Sequence, residues 1–142
     1  MIEIDVIGNE EIRRALARVV PEFKRKALQA GAQAAFDTAQ READRHTKTG
    51  ALARSVTMRP QGNGYVIGHD SQMAPHAVFV HWGTRPHEIR PKNKQALRWP
   101  AGGGFAFAKV VQHPGFEGDP WMIRARDAAA AAILRIARNT DA

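Results

Sequence analysis

The chain contains no cysteine, so it has neither a disulfide framework nor a thiolate nucleophile, and any metal site would have to use histidine and carboxylate alone. No apolar run is long enough to span a bilayer, and the start, Met1-Ile2-Glu3-Ile4-Asp5-Val6, has no cationic n-region and no sustained apolar stretch. The chain is therefore expected to be soluble and untargeted, with no membrane partner. Acids are scarce, 14 against 21 Lys plus Arg. Few carboxylates remain for paired acid–base work, and most of them alternate with Arg or Lys on predicted helix surfaces.

The 142 residues, 44% of them hydrophobic, suit one modest core and a single domain spanning residues 1–142. The net charge of +7 favours polyanionic partners through counterion release. Its distribution says more than its size. The first twelve residues carry Glu3, Asp5, Glu10 and Glu11 without a base, whereas Arg13 to Lys26 and Arg85 to Arg98 are strongly basic. A subunit that is acidic in one region and basic in others can attract copies of itself.

Ile2, Ile4 and Val6 alternate with acids, the period of a half-buried strand, and Asn9 after Gly8 is placed to cap a helix. Apolar residues then recur at helical spacing from Ile12 to Phe23 and on through Ala27, Leu28, Gly31, Ala35, Phe36, Ala39 and Ala43. Pro21 cannot lie inside one smooth helix, so a short helix near 10–19 and a long one near 21–46 are predicted. Leu52 through Met58 reads as extended, turning at Gln61-Gly62-Asn63-Gly64 into a hairpin partner, Tyr65-Val66-Ile67. Ala77-Val78-Phe79-Val80 fits a buried strand or one helical turn equally well. Arg85 to Lys94, with two prolines and many bases, reads as an exposed loop. Ala96–Trp99 and Phe105–Val111 flank Gly102-Gly103-Gly104 as a second hairpin. Asp119 and Pro120 form a cap and first-turn proline for a closing helix to about Arg138. The order gives an α+β fold: a small antiparallel sheet of about five strands, packed with a long helix in the N-terminal half and a C-terminal helix.

Six histidines raise the question of a metal. His76, His81 and His87 are separated by five and six residues, not by the three or four that place two ligands on one helical face, and only Glu88 is a nearby carboxylate. Loop histidines beside proline are ordinarily hydrogen-bonded surface groups, so no metal and no cofactor are expected. Ser55 and Ser71 lie in no nucleophile elbow, and Gly102-Gly103-Gly104 lacks the Lys-Ser or Lys-Thr of a phosphate loop. No catalytic residue is assigned and the chain is not expected to be an enzyme. Arg85, Arg90, Lys92, Lys94 and Arg98 could track a phosphate backbone or an acidic partner surface. No reading helix or stacked aromatic set accompanies them, so any DNA contact would be non-specific.

Three segments in order resemble a phage head-to-tail morphogenesis family, the tail-component or neck proteins of the tail-completion type. Thr49-Gly50-Ala51-Leu52-Ala53-Arg54-Ser55-Val56 is similar to the family's TGxLxxS element after a long amphipathic helix. Ala77-Val78-Phe79-Val80-His81-Trp82-Gly83-Thr84 is similar to its aromatic segment ending in Gly-Thr. Val111-Gln112-His113-Pro114-Gly115-Phe116, followed by Pro120-Trp121-Met122, is similar to its HPG element and the Pro-aromatic start of the last helix. The matched positions are Thr49, Gly50, Leu52, Ser55, Gly83, Thr84, His113, Pro114 and Gly115. One departure is His81, where many relatives carry an acid. The resemblance implies a virion structural role without catalysis, in a homo-oligomeric ring, a hexamer ahead of a dodecamer, between head-connector and tail-tube proteins. Gly50 and Gly83 would then permit tight reversals, and Thr49 and Thr84 would hydrogen-bond the local backbone.

Overall fold

The computed structural model describes residues 4–5, 14, 21–46 and 49–139. The predicted helix near 10–19 and its Asn9 cap lie outside them, save Arg14, which is helical. The long helix forms as α1 (Pro21–Asp44), opened by its proline. Its buried positions Ala27, Gly31, Ala35, Ala39 and Ala43 recur every four residues. The C-terminal helix α4 (Trp121–Arg138) buries a matching row, Trp121, Ala125, Ala129, Ile133 and Ala137. Two such rows of mostly small side chains let ridges interlock and the axes approach closely. At Gly31 a side chain would already collide with Ile133. The main partner of α1 is α4, with the first sheet second.

Among the described residues the strands form three small antiparallel sheets rather than one. In the first, β1 (Ile4–Asp5), β3 (Gly64–His69) and β2 (Val56–Gln61) lie in the order β1-β3-β2. The predicted two-residue turn closes β2 on β3, with Gln61 opposite Gly64. This sheet presents Val56 and Ile67 to a core shared with Leu52, Ala74, Ala77, Trp121, Met122 and the alanines of both long helices. The second sheet pairs β4 (His87–Ile89) with β7 (Val111–His113). The third is a hairpin, β5 (Leu97–Ala101) and β6 (Gly104–Ala108), turning at Gly102-Gly103.

Several local expectations are corrected. Residues 52–54, predicted extended, belong to a helical turn, α2 (Ala51–Arg54). Ala-Leu-Ala-Arg is a run of strong helix formers, and the β-branched run that favours a strand starts only at Val56. The open choice at 77–80 resolves to helix, α3 (Ala77–Trp82), ended by Gly83 at φ +81°. The exposed loop from Arg85 to Lys94 contains β4, whose short alternation is framed by Pro86 and Pro91. The single strand expected over 105–111 is broken between Ala108 and Val111 into β6 and β7.

Candidate functional site

Two of the three resemblance-bearing segments meet where α3 and the chain after β7 run side by side. Thr84 and Phe116 exchange backbone hydrogen bonds at 2.7 and 2.9 Å, and the Asp119 amide donates to the Val80 carbonyl at 2.8 Å. The contact is closer than side chains allow. A Cβ on Gly83 would lie 2.2 Å from the Phe116 carbonyl oxygen, and one on Gly115 would lie 2.6 Å from that of Thr84. Both glycines also hold positive φ, so their identity is dictated twice. His113 supports the same turn: its Nδ1 accepts the Gly115 amide at 3.0 Å, and its ring stacks on His87 across the β4–β7 pair at 4.9 Å. Pro114 is the exposed residue between. The HPG element is thus a backbone turn, not a ligand set.

At the other end, Gly50 takes φ +74° to start α2, and Leu52 is fully buried. The Ser55 hydroxyl donates to the Leu52 carbonyl at 2.6 Å, and the Ser55 carbonyl accepts the Asp70 amide. Ser55 is therefore a buried structural hydroxyl. The Thr49 hydroxyl accepts the Ala51 amide at 3.4 Å, a weak local bond. Thr84 departs from expectation, since its buried hydroxyl has no hydrogen-bond partner and only its backbone is engaged.

Asp119 does not cap α4 through its side chain. Its carboxylate instead receives Arg124 in two bonds, at 2.5 and 2.7 Å, and His46 Nε2 at 2.5 Å, while Arg124 Nε reaches Glu42 at 2.6 Å. This cluster clasps the end of α1 to the start of α4. The guanidinium holds Asp119 well below the usual carboxylate range, against the opposing effect of burial, and the same bond raises Arg124. Burial pushes Glu42 up, but Arg124 and Arg45 outweigh it and leave the carboxyl below its ordinary value. His81 is buried beside Trp121, their ring centroids 6.3 Å apart. Burial lowers its pKa, Asp119 pulls the other way, and Arg124 and His69 add to the lowering.

The five candidate contact bases are all exposed. Arg90 is held on Glu88 at 2.8 and 3.0 Å, Arg98 lies 4.3 Å over the Phe105 ring, and Lys92 and Lys94 occupy the bends between β4 and β5. Among the described residues, no group of three or more His, Cys, Asp or Glu could hold a metal ion, and no helix is long and apolar enough to cross a membrane. A cleft between the first turn of α1 and the β2–β3 turn is lined by Lys24, Arg25, Leu28 and Tyr65 without any acid. A second groove gathers Arg59, His69, Asp70 and Ser71, but Asp70 Oδ1 accepts the amides of Gln72 and Met73, the work of a turn residue.

Sequence reasoning missed the exposed aromatics. Phe79, Trp82, Phe105, Phe107 and Phe116 all remain at the surface, which the sequence reading did not single out. The signal was present for Phe105 and Phe107, which share one face of a two-stranded ribbon. Comparison of the chain with protein-family models, curated proteins and solved structures returns no match.

Proposed function

We propose that this chain is a non-catalytic subunit of a homo-oligomeric ring, a hexamer ahead of a dodecamer, at the head-to-tail junction of a tailed bacteriophage. It acts there as a neck, tail-completion or tail-terminator protein between head-connector and tail-tube proteins. The observation that carries the reading is the meeting of two of the three family-like segments. Gly83-Thr84 and Gly115-Phe116, far apart in sequence, are knit backbone to backbone, so their residue types answer one structural requirement. Exposed aromatic patches and short strands with open edges also suit a subunit that neighbours complete.

The test is deletion of the gene in the phage that carries it. Heads should fill with DNA and tails should form, but the two should remain separate in lysates, or tails should have abnormal length if this is the terminator. Normal infectious virions would defeat the assignment. A second reading, a non-specific DNA-binding protein, is favoured by the stretch from Ile89 to Phe116, which carries Arg90, Lys92, Lys94, Arg98 and Lys109 and no acid. Submicromolar binding of duplex DNA by the purified chain near physiological salt would support it over the ring.

A further inference from the structure

The exposed apolar side chains fall mainly into two groups. The first is the β5–β6 hairpin, where Phe105 and Phe107 are 56% and 65% exposed and Trp99 is 40% exposed. The register sets Arg98 opposite Phe107 and Pro100 opposite Phe105, so these four share one face, while Trp99 lies on the other. A two-stranded ribbon is marginal in water unless something covers a face. Aromatics with an arginine among them make the composition of a protein interface core.

The second group surrounds α3. Phe79 and Trp82, three residues apart and so on one side of the helix, are 58% and 65% exposed. Phe116 reaches the same region through its pairing with Thr84, and exposed Met73 lies in the segment that leads into α3. The charges of the two surfaces are opposite. Residues 70–84 and 114–119 contain Asp70 and Glu117, besides Asp119 held by Arg124, and no Lys or Arg, with Arg85 at their border; residues 89–113 contain Lys92, Lys94, Arg98 and Lys109, besides Arg90 held on Glu88, and no acid.

From this pairing we infer that the β5–β6 hairpin of one copy docks its Phe105–Phe107 face on the Phe79–Trp82 surface of the next copy. The inference rests on the ring reading and specifies its contact. Two different patches on one chain, alike in aromatic content and opposite in charge, make a heterologous interface, the kind that propagates head to tail and closes into a ring. The nucleic-acid alternative is weaker for this hairpin. Arg98 is already committed to the Phe105 ring, and a surface of complementary charge lies within the same chain.

The test uses the full chain, sedimented over a range of concentrations. Wild type should self-associate. An arm variant, Phe105→Ser with Phe107→Ser, and a socket variant, Phe79→Ser with Trp82→Ser, should each stay monomeric while their circular dichroism and Tm remain those of wild type. Each retains one intact surface, so the two mixed together should form a heterodimer that grows no further. Lys92→Glu with Lys94→Glu should weaken association by about tenfold, and Glu117→Lys should restore part of it. Wild-type assembly that neither variant disturbs overturns this contact and leaves the ring standing. Wild type that is monomeric at every concentration overturns both. Loss of duplex-DNA binding in the arm variant, with assembly intact, would reassign the hairpin to nucleic acid.

Discussion

Gly31→Ala probes the helix pair at its closest point. In an isolated helix interior this change stabilises by about 1 kcal/mol. Here the added Cβ would lie 2.6 Å from Ile133 Cγ1, 2.7 Å from its Cδ1 and 3.3 Å from the Ala129 carbonyl oxygen. Either Ile133 leaves its rotamer or the helices part, at a cost of about 1–3 kcal/mol. The net effect is a loss of roughly 0–2 kcal/mol. Ile133 is fully buried, so Ile133→Ala alone should cost about 2–5 kcal/mol. In that background the obstacle is gone, and Gly31→Ala should stabilise by up to about 1 kcal/mol, a coupling of about 1 kcal/mol or more. Urea denaturation of the four proteins, compared at constant m, gives the cycle directly. Equal stabilisation by Gly31→Ala in both backgrounds would mean that α1 and α4 do not meet there, and the interlocking rows would be refuted.

Trp121→Ala should cost about 3–5 kcal/mol, because the indole is fully buried at the start of α4; a loss under about 1 kcal/mol in denaturant melts would remove it from the core. Asp119→Asn should lower stability by about 1 kcal/mol, the low end for charge-assisted bonds because the Arg124 side chain is 36% exposed, and an unchanged Tm would make the clasp ornamental. Acid should act in two stages, since His81 and Asp119 both have folded-state pKa values below their ordinary ones and the unfolded chain therefore binds protons first. The His81 contribution is complete above about pH 6.5 and falls as pH drops below it, whereas that of Asp119 persists to about pH 4. His81→Gln should abolish the upper stage, and a wild-type urea midpoint that stays flat from pH 7 to pH 5 would contradict the assignment. In amide exchange of the monomer, the β5–β6 hairpin should lose protection well before the facing rows of α1 and α4, and should regain it on self-association; a hairpin as slow as the helices in dilute solution would count against an assembly-ordered arm.

The elements with a strong local period were legible in the sequence. Pro21 and the stripe from Ala27 to Ala43 located α1, Gly62-Asn63 located the first hairpin, and Gly102-Gly103 the second. What periodicity could not supply was the pairing. The row of fours in α1 reads equally as a face for a sheet or for another helix, and only the matching row in α4 decides it. β4 was hidden because three residues between prolines are too short to show alternation. Asp119 looked like a cap from its neighbour Pro120, but its partners His46 and Arg124 come from two different helix ends, one of them 73 residues away. Gly83 was legible as a chain reversal, while its close approach to the Phe116 carbonyl was not.

A ring subunit works by occupying a place, and the most direct measurement counts copies against joined particles. Extract from the deletion strain, containing filled heads and finished tails, is titrated with purified wild-type chain, and infectious particles are scored against protein added. Rescue should rise with dose and saturate near one ring of protein per particle. It should also slow as salt is raised if, as proposed, oppositely charged surfaces steer the assembly. Rescue far below one ring per particle would mean that each molecule acts repeatedly, and the structural role would have to give way to an enzymatic one.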